Sequence, residues 1–216
     1  MSLSRRDCIK QLAASALAGL VVLPVRAQAT RPMILVVGDS LSAEYGLQRG
    51  SGWVALLEKR LAQEKIAAGV VNASISGDTT SGGRSRLPAL LAQHKPAVVI
   101  VELGGNDALR GLPLAMTERN LAEMARTSKA AGARVLLIGM QVPPNYGRQY
   151  NEDFAALFGK VARAEGTALL PFLLKGVGDA PNASELFQPD RIHPKEAAHP
   201  IILGNVWPAL RPLLSK

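Results

Sequence analysis

Short apolar runs alternate with segments of helical periodicity along most of the chain. Five of these runs are rich in Val, Ile, Leu and Ala, which predicts five β-strands. The predicted strands are residues 33–37, 69–73, 97–103, 134–139 and 168–172. The run at 97–103 is apolar at nearly every position, as expected for a strand that is buried on both faces of a parallel sheet.

Between the predicted strands, apolar residues recur at helical spacing. Trp53, Leu57 and Leu61, for example, share one face of a helix predicted over residues 53–64. The other predicted helices are residues 87–93 (begun near Arg84), 116–131, 152–165 and 195–210. The last is entered at Pro194 and interrupted or bent near Pro200 and Pro208. Strand and helix alternating five times predict an α/β fold, a three-layer α/β/α sandwich around a flavodoxin-like, parallel five-stranded sheet.

The first 29 residues follow a different pattern. Arg5 and Arg6 precede an apolar stretch over residues 12–25, and Ala27-Gln28-Ala29 matches an A-x-A cleavage site. We predict a signal peptide at 1–29, exported by the twin-arginine route, and a single periplasmic or secreted domain over 30–216. An uncleaved membrane anchor is the alternative, but the apolar stretch is shorter than the roughly 20 residues of a spanning helix.

Charge and cysteine content narrow the possible chemistry. The formal net charge is +8, and part of it belongs to the predicted signal peptide. The remaining excess forms no basic stripe of the kind that binds nucleic acid, so a solvated surface is the better interpretation. Cys8 is the only cysteine and lies in the predicted signal peptide. The predicted mature protein therefore has no disulfide, no thiol nucleophile and no cysteine metal site.

A serine and a histidine stand out as candidates for acyl chemistry. Ser40 directly follows the first predicted strand, where a turn exposes a side chain at a rigid edge. His193 is the candidate base, because Asp190 three residues earlier can hold Nδ1 and leave Nε2 for the serine proton. Taken alone, these residues also fit a turn serine and an Asp helix cap beside an incidental histidine. His94 fits a solvated helix end, and His199 fits a structural or exposed position in the last helix.

Hydrogen-bond donors follow the second and third predicted strands. Asn106 offers a side-chain amide, and Gly77 offers a backbone N–H with no side chain in the way. Together with the Ser40 N–H, they would supply three donors for the oxyanion of acyl transfer. Asn and Gly are also common turn residues, so each is weak evidence by itself. Their order at the carboxyl ends of successive strands favours a catalytic site.

These motifs together resemble the four sequence blocks of the SGNH (GDSL) hydrolases. The longer motifs resemble the bacterial multifunctional thioesterase I, protease I and lysophospholipase subgroup, also called arylesterases. The segments that carry the resemblance are 38–41, 71–79, 86–91, 101–107, 144–148 and 190–193, within a match over about residues 34–210. The resemblance implies an SGNH fold, a periplasmic location and hydrolysis of acyl esters and thioesters, with lysophospholipid among the possible substrates.

The resemblance also implies the role of each site residue. Ser40 is the expected nucleophile, Asp190 and His193 are its expected triad partners, and Gly77 and Asn106 are expected oxyanion donors. Two positions depart from the subgroup, because Glu44 and Arg191 stand where glycine is common. Neither departure removes a catalytic atom, and both bear on substrate preference.

Two apolar segments after the third and fourth strands bear on specificity. Leu109 and Leu112 in one, and Pro144 and Tyr146 in the other, are expected to line an acyl groove of short to medium length. Leucines that cap the core fit the same pattern equally well. No metal or organic cofactor is expected.

Two other functions remain open at this point. One is a carbohydrate O-acetylesterase, which would use the same fold and the same catalytic residues. The other is a non-catalytic flavodoxin-like binding module, which would leave Asp190 and His193 without a role.

Overall fold

The structure is a computed structural model that describes residues 31–215. The predicted signal peptide at 1–29 lies outside the described residues. In the described part of the chain, none of the helices combines the length and the apolar character needed to cross a membrane.

Five parallel strands form the sheet, in the spatial order β2-β1-β3-β4-β5. They are β1 Met33–Gly38, β2 Gly69–Asn72, β3 Val98–Glu102, β4 Arg134–Ile138 and β5 Ala168–Leu170. The predicted parallel five-stranded sheet is confirmed. The last four strands end one or two residues before the predicted ends, because the final residues of each apolar run already belong to the loops at the sheet edge.

Within residues 31–215, seven α-helices connect or follow the strands. They are α1 Trp53–Gln63, α2 Thr80–His94, α3 Gly105–Leu109, α4 Leu114–Ala130, α5 Arg148–Glu165, α6 Ala183–Leu186 and α7 His199–Leu210. Helix α2 begins at Thr80, four residues before the predicted start near Arg84, because the Thr79 side chain accepts a hydrogen bond from the Gly82 N–H and caps the helix. Hydrophobic periodicity misses this first turn, which contains two glycines and no large apolar residue.

The closing helix also differs from its prediction. It begins at His199 rather than at residue 195, and Pro200 occupies its first turn, where the missing N–H of proline costs nothing. It then runs through Pro208. A 3-10 helix, Glu196–Ala198 with Lys195 as its N-cap, leads directly into α7, so helical backbone begins one residue after the predicted start. Pro194 lies just before it and pairs with Phe187 in an isolated antiparallel bridge. The turn that ends at Pro194 carries one of the candidate catalytic residues.

The core lies between the sheet and the two helical layers. Helices α1 and α7 pack together, and α4 packs against both α2 and α5. Helix α1 buries Trp53, Val54, Leu57 and Leu61 on one face. Each fully buried leucine contributes roughly 1.5–3 kcal/mol to stability. The predicted three-layer sandwich is thus confirmed.

This topology fixes where ligands can bind. Strand β1 lies between β2 and β3, so the loops that follow these three strands meet at one edge of the sheet. The Ile75 N–H donates to the Gly38 carbonyl at 3.0 Å and ties the first two loops together. The crevice beyond the carboxyl ends of the strands is the usual binding site in open α/β sheets.

Candidate active site

Three predicted residues form a continuous chain of hydrogen bonds. The His193 Nε2 atom lies 2.9 Å from the Ser40 Oγ atom, and the His193 Nδ1 atom lies 2.7 Å from the Asp190 Oδ2 atom. Ser40 is half-buried and directly follows the end of β1. The serine hydroxyl and a carboxylate therefore occupy opposite sides of one imidazole ring.

Hydrogen bonding keeps Asp190 ionised. Burial acts to raise its pKa, but hydrogen bonds from the His193 ring and from the backbone N–H groups of Ile192 and His193 outweigh it and lower the pKa to about 2. The carboxylate then accepts the Nδ1–H of neutral His193. This arrangement selects the tautomer whose Nε2 lone pair faces Ser40.

A tight turn over residues 187–194, which we call the histidine turn, holds His193. The Phe187–Pro194 bridge closes it, and the Gln188 N–H donates to the His193 carbonyl at 2.8 Å. Gln188 also donates through Nε2 to the Tyr45 carbonyl at 2.9 Å. The Tyr45 ring lies 4.2 Å from the His193 ring, centroid to centroid, so an aromatic face limits the movement of the imidazole.

The other two histidines lie elsewhere. His94 is half-buried and is the last residue of α2, near the predicted helix end. His199 is buried, and its Nδ1 atom accepts the Trp53 N–H at the start of α1 at 3.0 Å. Burial lowers the pKa of His199. Its contact is structural, in agreement with one of the two roles considered for it.

The predicted oxyanion donors follow β1, β2 and β3. Within residues 31–215, neither the Ser40 N–H nor the Gly77 N–H donates a hydrogen bond to another protein group. Gly77 adopts a φ of 79°, in the left-handed region where glycine is favoured. Asn106 is the second residue of the short helix α3, which begins at Gly105.

Asp39 orients the Asn106 amide. The Asn106 Nδ2 atom donates one hydrogen to Asp39 Oδ2 at 2.9 Å, while Asp39 Oδ1 accepts the Leu41 N–H at 3.0 Å. Because an amide nitrogen carries two hydrogens in a fixed plane, holding one of them directs the other. Burial raises the pKa of Asp39 to about 6, against the lowering effect of these two hydrogen bonds. Sequence reasoning gave Asp39 no such role.

Two arginines brace the segment that carries Gly77. Arg110 donates to the Gly77 carbonyl at 2.6 Å. Arg86 donates through Nε to the Asp78 carboxylate at 2.8 Å and also bonds the Ala73 carbonyl. A guanidinium group suits this work because its donors form a rigid fork.

Asp107 is a buried carboxylate that binds the start of α2 and helix α4. It has no exposed surface, and its Oδ2 atom accepts the Thr80 N–H at 2.8 Å. Its Oδ1 atom accepts hydrogen bonds from the hydroxyl groups of Thr80 and Thr117. A carboxylate at the first turn of α2 is also favoured by the helix dipole. Asp107 therefore fixes the position of its neighbour Asn106 relative to α2.

The two departures from glycine share one backbone feature. Glu44 has a φ of 59° and Arg191 a φ of 58°, so both occupy the left-handed region. Glu44 offsets this strain, because its carboxylate accepts the N–H groups of Gly50 and Gly52 at 2.8–3.1 Å. Arg191 is exposed on the histidine turn. The conformation explains why glycine suits both positions.

The predicted groove residues differ in exposure. Leu109 is 42% exposed, which removes it from the core, while Leu112 is half-buried. Tyr146 ends a short 3-10 helix that begins at Pro144, and its ring stacks 6.1 Å from Tyr150. Other exposed large apolar side chains lie next to site residues in the chain: Tyr45, Ile75 and Ile192.

Comparisons with known proteins agree with this geometry. Residues 36–201 match the GDSL-like lipase/acylhydrolase family. An esterase called TesA from Pseudomonas aeruginosa is 57% identical over 87% of this chain and 92% of its own length. A thioesterase 1/protease 1/lysophospholipase L1 from Escherichia coli is 45% identical over 91% of both chains. A crystal structure of TesA, also 57% identical, covers 84% of this chain and 99% of its own with a TM-score of 0.81.

The sandwich fold is that of an SGNH-type ester hydrolase. The chain belongs to the GDSL-like lipase/acylhydrolase family. It is a carboxylic ester hydrolase, and the family and fold predicted from the sequence are confirmed.

Proposed function

We propose that Ser40 is the nucleophile of this hydrolase, with His193 as general base and Asp190 as the residue that orients the histidine. The observation that carries the proposal is the unbroken hydrogen-bonded chain from Ser40 Oγ through His193 to Asp190, at 2.9 and 2.7 Å. His193 removes the hydroxyl proton as Ser40 attacks the acyl carbonyl. It then protonates the leaving alcohol or thiol, and water repeats the cycle on the acyl-enzyme.

The tetrahedral intermediate needs donors aimed at its oxyanion. We assign this task to the N–H groups of Ser40 and Gly77 and to the Asn106 hydrogen that Asp39 does not hold. Such donors require no reorganisation as charge develops, which is why they account for a large part of catalysis. The ionised Asp190 stabilises the imidazolium that forms at the same moment.

The proposed substrates are carboxylic esters and thioesters with an acyl chain, including lysophospholipids. Relatives of the chain are named esterase, thioesterase, lysophospholipase and arylesterase, which supports this range. Leu109, Leu112, Pro144 and Tyr146 are proposed to line the acyl groove. The exposed apolar side chains near the site favour an acyl chain over a carbohydrate, whose hydroxyl groups need polar partners.

The remaining proposals concern processing and location. Residues 1–29 are proposed to be a twin-arginine signal peptide, and residues 30–216 a single hydrolase domain that acts in the periplasm or outside the cell. The motif in residues 4–29 supports this proposal.

The test is hydrolysis of p-nitrophenyl esters from acetyl to palmitoyl by residues 30–216 and by Ser40→Ala. We expect the variant to keep the fold and to lose about 10⁴- to 10⁶-fold in kcat. Wild-type activity should peak at one chain length, and Leu109→Ala should shift that peak. Activity that survives in Ser40→Ala would refute the nucleophile, and an unshifted peak would refute the role of Leu109 in the groove.

A further inference from the structure

Glu102 is an ionisable residue inside the core, and the mechanism above gives it no task. It ends β3 and has no exposed surface. None of the ion pairs in residues 31–215 includes it. A buried carboxyl without a cation is costly, so its presence calls for a physical explanation.

One oxygen of Glu102 accepts two hydrogen bonds from the turn that carries Ser40. Glu102 Oε2 lies 2.7 Å from Ser42 Oγ and 3.3 Å from the Asp39 nitrogen. The Trp53 indole N–H donates to Ser42 Oγ at 3.2 Å, which leaves the serine hydroxyl hydrogen for Glu102. The residues on either side of Ser40–Leu41 are therefore both held by a single acceptor atom.

The other oxygen shows which protonation state the site favours. Glu102 Oε1 is buried and has no hydrogen-bond partner in the described part of the chain. Leaving an oxygen of a carboxylate bare costs more than leaving part of a neutral acid unpaired. Burial, followed by the nearby charge of Asp39, raises the pKa of Glu102 well above its ordinary value.

The backbone leaves room for this contact. Gly38 lies beside Glu102 in the register between β1 and β3. A β-carbon at position 38 would lie 2.7 Å from Glu102 Oε2 and 2.9 Å from Ser42 Oγ, too close for any side chain. Gly38 thus permits the carboxyl group to reach the nucleophile turn.

We propose that Glu102 is a positioning residue that acts as a neutral hydrogen-bond acceptor, fixing the turn of Asp39 to Ser42 so that Ser40 Oγ stays aligned with His193. The proposal rests on the role of Ser40 as nucleophile. Its function is distinct from that of Asp190, because it acts through the backbone of the turn and not through the imidazole ring.

Two substitutions at position 102 show whether Glu102 acts as a hydrogen-bond acceptor or as a negative charge. Glu102→Gln removes the acid but keeps a carbonyl oxygen for Ser42 and Asp39, whereas Glu102→Met keeps the length and removes the acceptor. The measurement is the rate at which a p-nitrophenyl phosphonate labels the active-site serine, together with kcat and KM for p-nitrophenyl butyrate. All assays are run well below the melting temperature of each variant.

We expect Glu102→Gln to stay within about threefold of the wild type and Glu102→Met to label about 10- to 100-fold more slowly, with kcat reduced and KM within about twofold. In a Trp207→Phe background, Trp53 is the only tryptophan, so its fluorescence reports on the same network. The Met variant should change this emission and the Gln variant should not.

Other outcomes overturn the proposal. Equal losses in the two variants, with a shifted pH profile, would show that a negative charge at position 102 matters. Wild-type labelling rates in both, with lowered melting temperatures, would reduce Glu102 to a packing role. If Glu102→Met fails to fold, Ser42→Ala decides, because it removes one donor and leaves the carboxyl in place. Unchanged labelling of Ser42→Ala would then refute the proposal.

Two controls keep this result separate from the proposed function. Ser40→Ala must show no labelling, and an active Ser40→Ala would refute the nucleophile regardless of Glu102. Ser128→Ala removes a buried hydroxyl on α4 that has no partner among the described residues. It should label at the wild-type rate.

Discussion

The two halves of the candidate site are built in opposite ways. On the strand side, the buried residues are Asp39 after β1, Glu102 at the end of β3 and Asp107 in α3. Their hydrogen bonds run inward to backbone and side chains. On the other side, the histidine turn is largely exposed, and Asp190 keeps 37% of its side-chain surface. One half is rigid because the core holds it, and the other depends on a few local contacts.

The difference follows from what each half must do. Oxyanion donors must be in place before charge develops, and a packed interior provides that precision. The base must move a proton in both directions and face a changing substrate, which a turn at the surface permits. Each prediction below breaks one half and leaves the other intact, beginning with the largest effect.

Asp190→Asn should cause the largest loss. The amide cannot hold the tautomer that presents Nε2 to Ser40, so we expect kcat to fall by about 10³- to 10⁴-fold. The melting temperature at neutral pH should fall modestly, because the variant loses the charge that the hydrogen bonds from Ile192 and His193 stabilise. Steady-state kinetics of Asp190→Asn, with Ser40→Ala measured for comparison, checks this prediction. A loss of kcat below tenfold would mean that the histidine turn alone orients His193.

Asn106→Ala tests the strand side. Loss of one oxyanion donor should raise the barrier by about 2.7–4 kcal/mol, or about 10²- to 10³-fold in kcat, with little change in KM. The same variant should leave phosphonate binding in the ground state nearly unaffected. Unchanged turnover would remove Asn106 from the oxyanion hole.

Asp39→Asn should reveal how the strand side responds to pH. Burial raises the pKa of Asp39 from 3.8 to about 6, so the folded protein binds this proton more tightly than the unfolded chain does. The wild type should therefore gain about 2 kcal/mol of unfolding free energy relative to the variant as pH falls from about 7 to 4. Urea denaturation across this range measures it, and parallel curves would contradict it.

Asp190 supplies the matched contrast. Its pKa is lowered to about 2, so its stabilising contribution is present above about pH 4 and is lost as pH falls through about 2. As pH falls, the wild type should lose stability relative to Asp190→Asn. Over the same range it should gain stability relative to Asp39→Asn. The same sign for both variants would mean that the two halves do not differ in this way.

Tyr45→Leu should have the smallest effect. The ring contacts His193 at 4.2 Å, and an aromatic contact contributes about 0.5–1.5 kcal/mol, which corresponds to about 2- to 10-fold in kcat/KM. Tyr45→Phe keeps the ring and serves as the control. An equal loss in both variants would assign the effect to the hydroxyl group.

Some parts of the fold and of the candidate site can be predicted from the sequence, and others cannot. The strands can be predicted from apolar runs, and Asp190 and His193 from their short spacing in the chain. Ser40 can be predicted because it follows the first apolar run in a Gly-Asp-Ser turn. The contacts of Asp39 with Asn106 and of Glu102 with Ser42 join residues more than 50 positions apart. They depend on the register between β1 and β3, which no local pattern reveals. The left-handed conformations of Glu44 and Arg191 could not be predicted from their residue types, because glutamate and arginine rarely adopt a positive φ.

The distance along the chain between Ser40 and His193 has a consequence for biosynthesis. The two residues are 153 positions apart, with the serine near the beginning and the histidine near the end. At about 5–20 residues per second, a ribosome adds the histidine roughly 8–30 seconds after the serine. A nascent chain that stops before residue 193 thus carries the proposed nucleophile without its proposed base. Such fragments contain Ser40 but not His193, so the proposed catalytic pair exists only once translation has passed residue 193.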